Sequence, residues 1–396
     1  MFHAALPAAL AEETFLASVR LRGGFDTNPT LQPAGASSAF VGLDAAFAAG
    51  REANGILYGV VGDASTTRYL SAAVVPVERG NIVATIASKP GLDELGWRST
   101  TTASSLSTYD TRSADLIQSL RLERDGKNFR SFVTAELRMS ELNETNAIFP
   151  TFLPTPHRFA RATLIPGGAI KSGPFEVGAS VNLSATHYME EFDVFGFRRR
   201  NERVQPFLFV KYRKDGLELF ANVSRLYGFW HDPDYSDVAR TLFEVSATYT
   251  FGKVSLELGA QRVAAETTFP LSPITVQTVA SAKARLQVSD KTAINGTVRY
   301  GTVDYLDTPL SSRLWVFGLE ATHELQPGFI LGAEVISRHF DSIAGLPAHG
   351  VTATISVMRR FGSGDDKKKR AEAASAARRA PCDRAPKDQQ PQPPWP

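Results

Sequence analysis

Four arginines crowd one short stretch, Arg198, Arg199, Arg200 and Arg203. Their summed positive field has three readings: attraction of anions at a pore mouth, contact with lipopolysaccharide phosphates on an outer loop, or a merely solvated loop. No catalytic or cofactor motif accompanies them. The chain has no G-x-S-x-G, H-E-x-x-H, P-loop or G-x-G-x-x-G pattern, and its seven histidines are scattered. Asp232, Asp234 and Asp237 share one loop, yet they lack the spaced ligands and glycine of an EF-hand. The single cysteine, Cys382, excludes an intramolecular disulfide, a Cys-rich zinc site and a redox pair. Four Asn-x-Ser/Thr sequons occur, at Asn143, Asn182, Asn222 and Asn295; three fall inside expected strands and read as chance. The residues point to no enzyme, no cofactor and no metal, and a formal net charge of +2 implies no nucleic-acid field.

The elements that carry these residues alternate. Val351, Ala353, Ile355, Val357 and Phe361 share one parity, while Thr352, Thr354, Ser356 and Arg360 share the other; Arg359 breaks the apolar set near its end. Phe175, Val177, Ala179, Val181, Leu183 and Ala185 repeat the pattern against Glu176, Ser180, Asn182, Ser184 and Thr186. Between Val204 and Tyr212 it is less clean, because Phe207 and Phe209 fall on the polar side. Stretches of about ten residues suit a tilted strand that crosses a bilayer. Tight turns near Asp215, Lys253, Asp290 and Pro327 recur about every 37 residues, with longer connections between them. Two long strands per period fit an up-and-down barrel better than the four short strands of a propeller blade.

The first half is noisier, and between Tyr69 and Tyr109 the register is unclear. With Leu70 to Val75 and Ile82 to Ala87 as strands the count is about eighteen; without them it is sixteen. The expected fold is therefore all-β: a transmembrane antiparallel up-and-down β-barrel over 14–361. Its apolar content of 43% is compatible with this, because only alternate residues meet lipid.

Parity then sorts the charges. A lipid-facing Arg or Lys costs about 2 to 4 kcal/mol at the bilayer midplane, so Glu218, Glu244, Glu257, Lys283, Arg285, Arg299, Glu320, Glu334 and Arg338 are expected to face the lumen. They would line a wet pore or knit the interior by ion pairs. Tyr212, Tyr227, Phe251, Tyr300, Trp315, Phe329 and Phe361 lie near strand ends, where two interfacial girdles would sit.

Residues 1–13 are Ala-rich, and Ala9-Leu10-Ala11 has the form of a signal-peptidase site, the expectation being a remnant of a secretory signal. Residues 362–396 carry Lys367-Lys368-Lys369-Arg370, Arg378-Arg379 and a Pro/Gln-rich end. Such a composition buries no core and reads as a disordered periplasmic tail, an inert linker or a binder of anionic cell-wall polymer.

Gly23-Gly24-Phe25-Asp26-Thr27-Asn28-Pro29 is similar to the Gly-aromatic-Asp-x-Asn-Pro opening of the beta-barrel porin-2 type, and the strand ending at Phe361 resembles a barrel-assembly signal. The chain thus resembles the Gram-negative outer-membrane β-barrels, although those commonly end on the aromatic residue. The resemblance implies an outer-membrane location, contact with membrane lipid, lipopolysaccharide and the barrel-assembly machinery, and transport of a small polar solute or a polysaccharide. It supplies no catalytic residue. Three functions follow for test: a channel or envelope-transport barrel, a structural or adhesion barrel with a blocked lumen, and a membrane-embedded hydrolase.

Overall fold

The computed structural model describes residues 14–109, 111–144, 157–193, 195–269, 271–342 and 345–362. The N-terminal segment 1–13, the tail from 363 with Cys382, and Thr145 of the first sequon lie outside the described residues. In chain order the strands are β1 (Thr14–Asp26), β2 (Ser38–Ala53), β3 (Ile56–Tyr69), β4 (Val77–Ser88), β5 (Leu95–Ser107), β6 (Thr111–Asp125), β7 (Phe129–Glu144), β8 (His157–Ser172) and β9 (Phe175–Tyr188). They continue as β10 (Asn201–Lys214), β11 (Leu217–Trp230), β12 (Val238–Phe251), β13 (Val254–Ala265), β14 (Thr275–Gln287), β15 (Thr292–Tyr305), β16 (Ser311–Gln326), β17 (Phe329–Asp341) and β18 (Pro347–Gly362). Each pairs antiparallel with its neighbours in sequence, and β1 pairs with β18, so eighteen strands close a barrel with no free edge.

Side-chain period sets the two faces. Along β18, Val351, Ala353, Ile355 and Val357 are exposed outward while Thr354, Ser356 and Met358 are buried inward. Leu208, Leu219, Val223, Leu258, Phe317 and Leu319 continue that apolar exterior, which lipid can cover. Outward charges such as Arg68, Glu78, Arg158 and Glu202 stand near strand ends. Arg359 is also outward; its guanidinium lies 5.9 Å from the Phe361 ring and reaches the Pro327 carbonyl, a snorkelling arrangement at the turn end.

Most short turns gather at one end of the barrel and most longer loops at the other. Asn54-Gly55 and Asp215-Gly216 each place two successive residues at positive φ (53° and 73°, 50° and 80°), the twist a two-residue hairpin needs.

The region that sequence left without register holds β4 and β5. Ile82 to Ala87 lies in β4, whereas Leu70 to Val75, expected as a strand, is loop. The strand that replaces it in the count, β5, turns Ser99, Thr101 and Ser105 to the same face as Leu116, Gln118 and Leu120, so it lacks the apolar alternation by which its neighbours are read. Thr101 Oγ1 donates to Gln118 Oε1 at 2.5 Å and Gln118 Nε2 donates to Ser99 Oγ at 2.9 Å, which satisfies these groups within the wall.

Candidate functional site: a narrowed lumen

The wall changes character at β13. Pairing between β12 and β13 stops at Phe243 opposite Arg262, although β12 extends back to Val238 and β13 runs on to Ala265. Beyond that point β13 keeps only its partner β14, and the tip of this hairpin is buried on both faces: Val263, Ala265, Thr267, Phe269, Ile274, Thr275 and Val276 are all shielded from solvent. Two-sided burial means the hairpin tip leaves the wall and folds into the barrel.

Apolar packing receives it. Ile274 and Val276 join Leu306 and the inner faces of β11 and β12 (Leu226, Trp230, Val238, Leu242), together with Tyr235. Burial of such side chains contributes about 1.5 to 3 kcal/mol each, so the tip is anchored rather than merely adjacent.

Polar locks surround this cluster. Glu266, the first loop residue after β13, forms ion pairs with Arg161 of β8 and with Arg203 of β10, the latter at 2.5 Å. Tyr188 Oη donates to its second oxygen at 2.7 Å. Burial alone would raise the Glu266 pKa, and the Arg203 and Arg161 guanidiniums outweigh it, holding the carboxyl down to about 2. Arg199 is a second lock. Its Nε donates to Asp193 Oδ2 at 3.0 Å, Nη1 to the carbonyls of Thr267 (2.9 Å) and Ser272 (3.3 Å), and Nη2 to the carbonyl of Phe269 at 2.7 Å. Glu144 of β7 is a third, accepting from Thr267 Oγ1 and the Thr268 amide, both at 2.8 Å.

From the level of the tip down toward the turn end, guanidiniums stack on aromatic rings. Arg121 lies 4.1 Å above the Phe132 ring and pairs with Glu123 at 2.6 Å; Arg138 lies over Phe159 and pairs with Asp115 at 2.8 Å; Arg130 pairs with Glu176. Phe209, which interrupts the sequence alternation, packs inside with Phe132, Ile165, Ala169 and Phe220, and Phe207 is buried on the same face.

The expected site residues scatter across three environments. Arg199 and Arg203 are buried in the locks, whereas Arg198 is exposed, pairs with Glu191 at 3.1 Å and stacks on Phe192; Arg200 is exposed. The two buried members spend their guanidiniums on protein acceptors, while Arg198 and Arg200 stay at the surface. Glu218 pairs with Arg213 at 3.0 Å near a tight turn, and Glu244 accepts from Asn222 Nδ2 at 3.2 Å. Glu257 and Lys283 face each other at 3.8 Å with side chains 56% and 45% exposed; Arg285 is exposed beside them and Arg299 half-buried. Glu320 meets Arg20 at 3.7 Å and accepts from Asn295 Nδ2 at 2.8 Å, and half-buried Glu334 is close enough to both to feel their charges. Arg338 is buried, its Nη2 donating to Asp26 Oδ2 at 2.5 Å and to Thr352 Oγ1 at 3.0 Å.

Asp26 belongs to the opening motif. Thr352 Oγ1 also donates to Oδ2, and Oδ1 accepts the Asn28 amide at 2.9 Å, so the motif ties β1 to β17 and β18 at the closing seam. The aspartate loop is likewise structural: Asp232 accepts the amides of Arg198 (2.5 Å) and Asp234 (2.9 Å). Among the described residues no three His, Cys, Asp or Glu side chains group as metal ligands.

Glu266, Arg161, Tyr188, Asp193 and Glu144 were invisible to sequence reasoning. Arg161, Tyr188 and Arg203 stand 105, 78 and 63 residues from Glu266 along the chain, so no local pattern joins them.

No protein-family profile matches the chain, and no curated protein does. Among solved structures it is similar to the FrpB iron transporter of Neisseria meningitidis (8% identity, TM-score 0.45, 87% of this chain and 81% of that one). It is also similar to OccK1 (OpdK) of Pseudomonas aeruginosa (10%, 0.44, 88% and 98%) and to the ferric citrate transporter FecA (10%, 0.46, 87% and 64%). The chain itself defines a closed transmembrane β-barrel whose lumen is narrowed by one of its own hairpins.

Proposed function

We propose that the protein is an outer-membrane channel for small polar solutes, with the β13–β14 tip as its constriction. The observation that carries this reading is β14, where residues 280 to 286 are exposed on both faces. One face is the apolar exterior; the other presents Ser281, Lys283 and Arg285 to water inside the barrel. A lumen face that wet beside a locked hairpin describes a passage narrowed rather than filled.

Charge balance sets the expected selectivity. Lys283, Arg285 and Arg299 stand against Glu257, Glu320 and Glu334 around the open side, so neither ion sign is favoured strongly. A glycan fits less well. Sugar rings stack on accessible aromatic faces, and here Phe132, Phe159 and Trp230 are covered by Arg121, Arg138 and Arg203. The Gly-Phe-Asp-Thr-Asn-Pro opening supports placement in the beta-barrel porin-2 type. The lipid-facing band supports an outer-membrane location with the short turns periplasmic. Membrane lipid, lipopolysaccharide and the assembly machinery are the partners such a barrel would meet.

Single-channel recording on the refolded protein tests the channel. Expected are discrete open levels with a reversal potential near zero in a salt gradient. A refolded barrel that stays silent at every voltage would favour the second reading, a structural or adhesion barrel, for which the same inward hairpin would act as a permanent plug.

A further inference from the structure

Beyond Phe243 and Arg262 both β12 and β13 run on without pairing to each other. Continuing the pairing would oppose Leu242 to Val263, Thr241 to Ala264 and Arg240 to Ala265, but strand pairing has already ended at Phe243 and Arg262. Backbone at membrane depth is tolerated away from a sheet only where protein buries it or where it lines a cavity. Arg262 stands eight residues after the start of β13 (262 − 254), and Tyr300, an expected girdle aromatic, eight after the start of β15 (300 − 292), so the break begins near the outer interface.

A cavity of about 60 Å³ lies at this break. Its lining joins three chemistries: the guanidinium-bearing lumen wall at Arg161 and Arg203, apolar Leu226 and Leu242, and the two residues of the break itself, Phe243 and Arg262. The Nε of Arg262 is buried and has no hydrogen-bond partner. A buried guanidinium N–H without an acceptor costs free energy unless something fills the space beside it. The volume suits a carboxylate-sized group, since a single water needs roughly 10 to 15 Å³ on this measure. Beside it run the mutually unpaired stretches of β12 and β13, which carry Val238, Ala239, Leu242, Val263 and Ala264.

We propose that the break is a lateral portal that binds a single-chain amphiphile, with its anionic headgroup in the cavity beside Arg262 and its acyl chain passing between β12 and β13 toward the bilayer. This goes beyond the channel reading and does not depend on conductance. The lumen supplies the polar half of the site, and the parted strands supply the apolar half.

Trp230 packs against Leu226 and Leu242 and reports on the site. In a full-length background with Trp97, Trp315 and Trp395 changed to Phe it is the sole remaining tryptophan. Titration of the refolded protein with brominated stearate should quench Trp230 saturably, whereas a brominated chain of equal length with a trimethylammonium head should not. Arg262→Gln should weaken the stearate effect by about tenfold, the scale of one charge-assisted hydrogen bond, and Arg262→Lys should retain most of it. In the same background with Cys382→Ser, the pair Thr241→Cys and Ala264→Cys would close the break when oxidised. Quenching should disappear on oxidation and return on reduction. Absence of saturable quenching, equal quenching by the cationic chain, or quenching unchanged by Arg262→Gln would overturn the portal. Should the disulfide fail to form, the Arg262 variants decide alone. Because fluorescence needs no current, a silent channel with an intact site, and a conducting channel without one, are separate results.

Discussion

Two arcs of the same lumen use similar side chains in opposite ways. Along β6–β12, away from the tight turns, many inward charges are dehydrated and paired: Arg203 and Glu266 are 7% and 6% exposed and touch at 2.5 Å. Along the turn-end half of β13–β16 they are solvated: Lys283 and Glu257 are 45% and 56% exposed and stand 3.8 Å apart. Parity places both sets on the inner face, so alternation alone does not decide which arc is mortar and which is a wet surface. The inward hairpin decides it. Where the tip and the aromatic rings displace water, a guanidinium needs a carboxylate; where they do not, water serves.

The comparison breaks most severely at Glu266. Glu266→Ala leaves Arg161 and Arg203 buried without their shared anion, a loss of about 3 to 5 kcal/mol. Urea unfolding in detergent should show that destabilisation, and single-channel currents should rise and fluctuate as the tip detaches. Arg199→Met is expected to rank next, removing donors to three loop carbonyls and costing about 2 to 3 kcal/mol; it should increase current noise while the strand content, followed by circular dichroism, holds.

Acid probes the same lock without mutation. The folded pKa of Glu266 is depressed, so its contribution is present above the ordinary carboxylate range and is lost as pH falls through about 2. Gating statistics should therefore be flat from neutral pH to about 5 and should loosen between about 4 and 2 in the wild type. Glu266→Gln should abolish that transition.

The open arc supplies the smallest effects. Lys283→Glu is expected to change stability by less than about 0.5 kcal/mol, because an exposed pair contributes little. It should shift the reversal potential toward cation preference. A large stability loss here, or an unmoved reversal potential, would erase the distinction between the arcs.

How much of this was legible follows from range. Strand alternation in β9 and β18 and the tight turn at Asp215-Gly216 are written in neighbouring residues, because lipid and a two-residue turn act on them directly. β5 is obscured because its outward Ser99, Thr101 and Ser105 break the apolar pattern, the first two bonded to Gln118 within the wall. Leu70 to Val75 was misleading for the converse reason: a short apolar run had no register to hold it. Phe207 and Phe209 looked like errors in a strand and are interior packing. The hairpin locks were illegible because Glu266 and its partners meet only after the wall has curved. Arg199 and Arg203 were legible as notable residues but not as buried ones, since burial depends on that same hairpin.

Asp26 and Arg338 meet across 312 residues, from the first strand and the penultimate one. A cylinder cannot be closed by halves: until β17 and β18 exist, β1 has an open flank and Asp26 a charge without its counterpart. The stitch that closes the ring thus joins opposite ends of the chain, a contact whose loop closure costs much entropy.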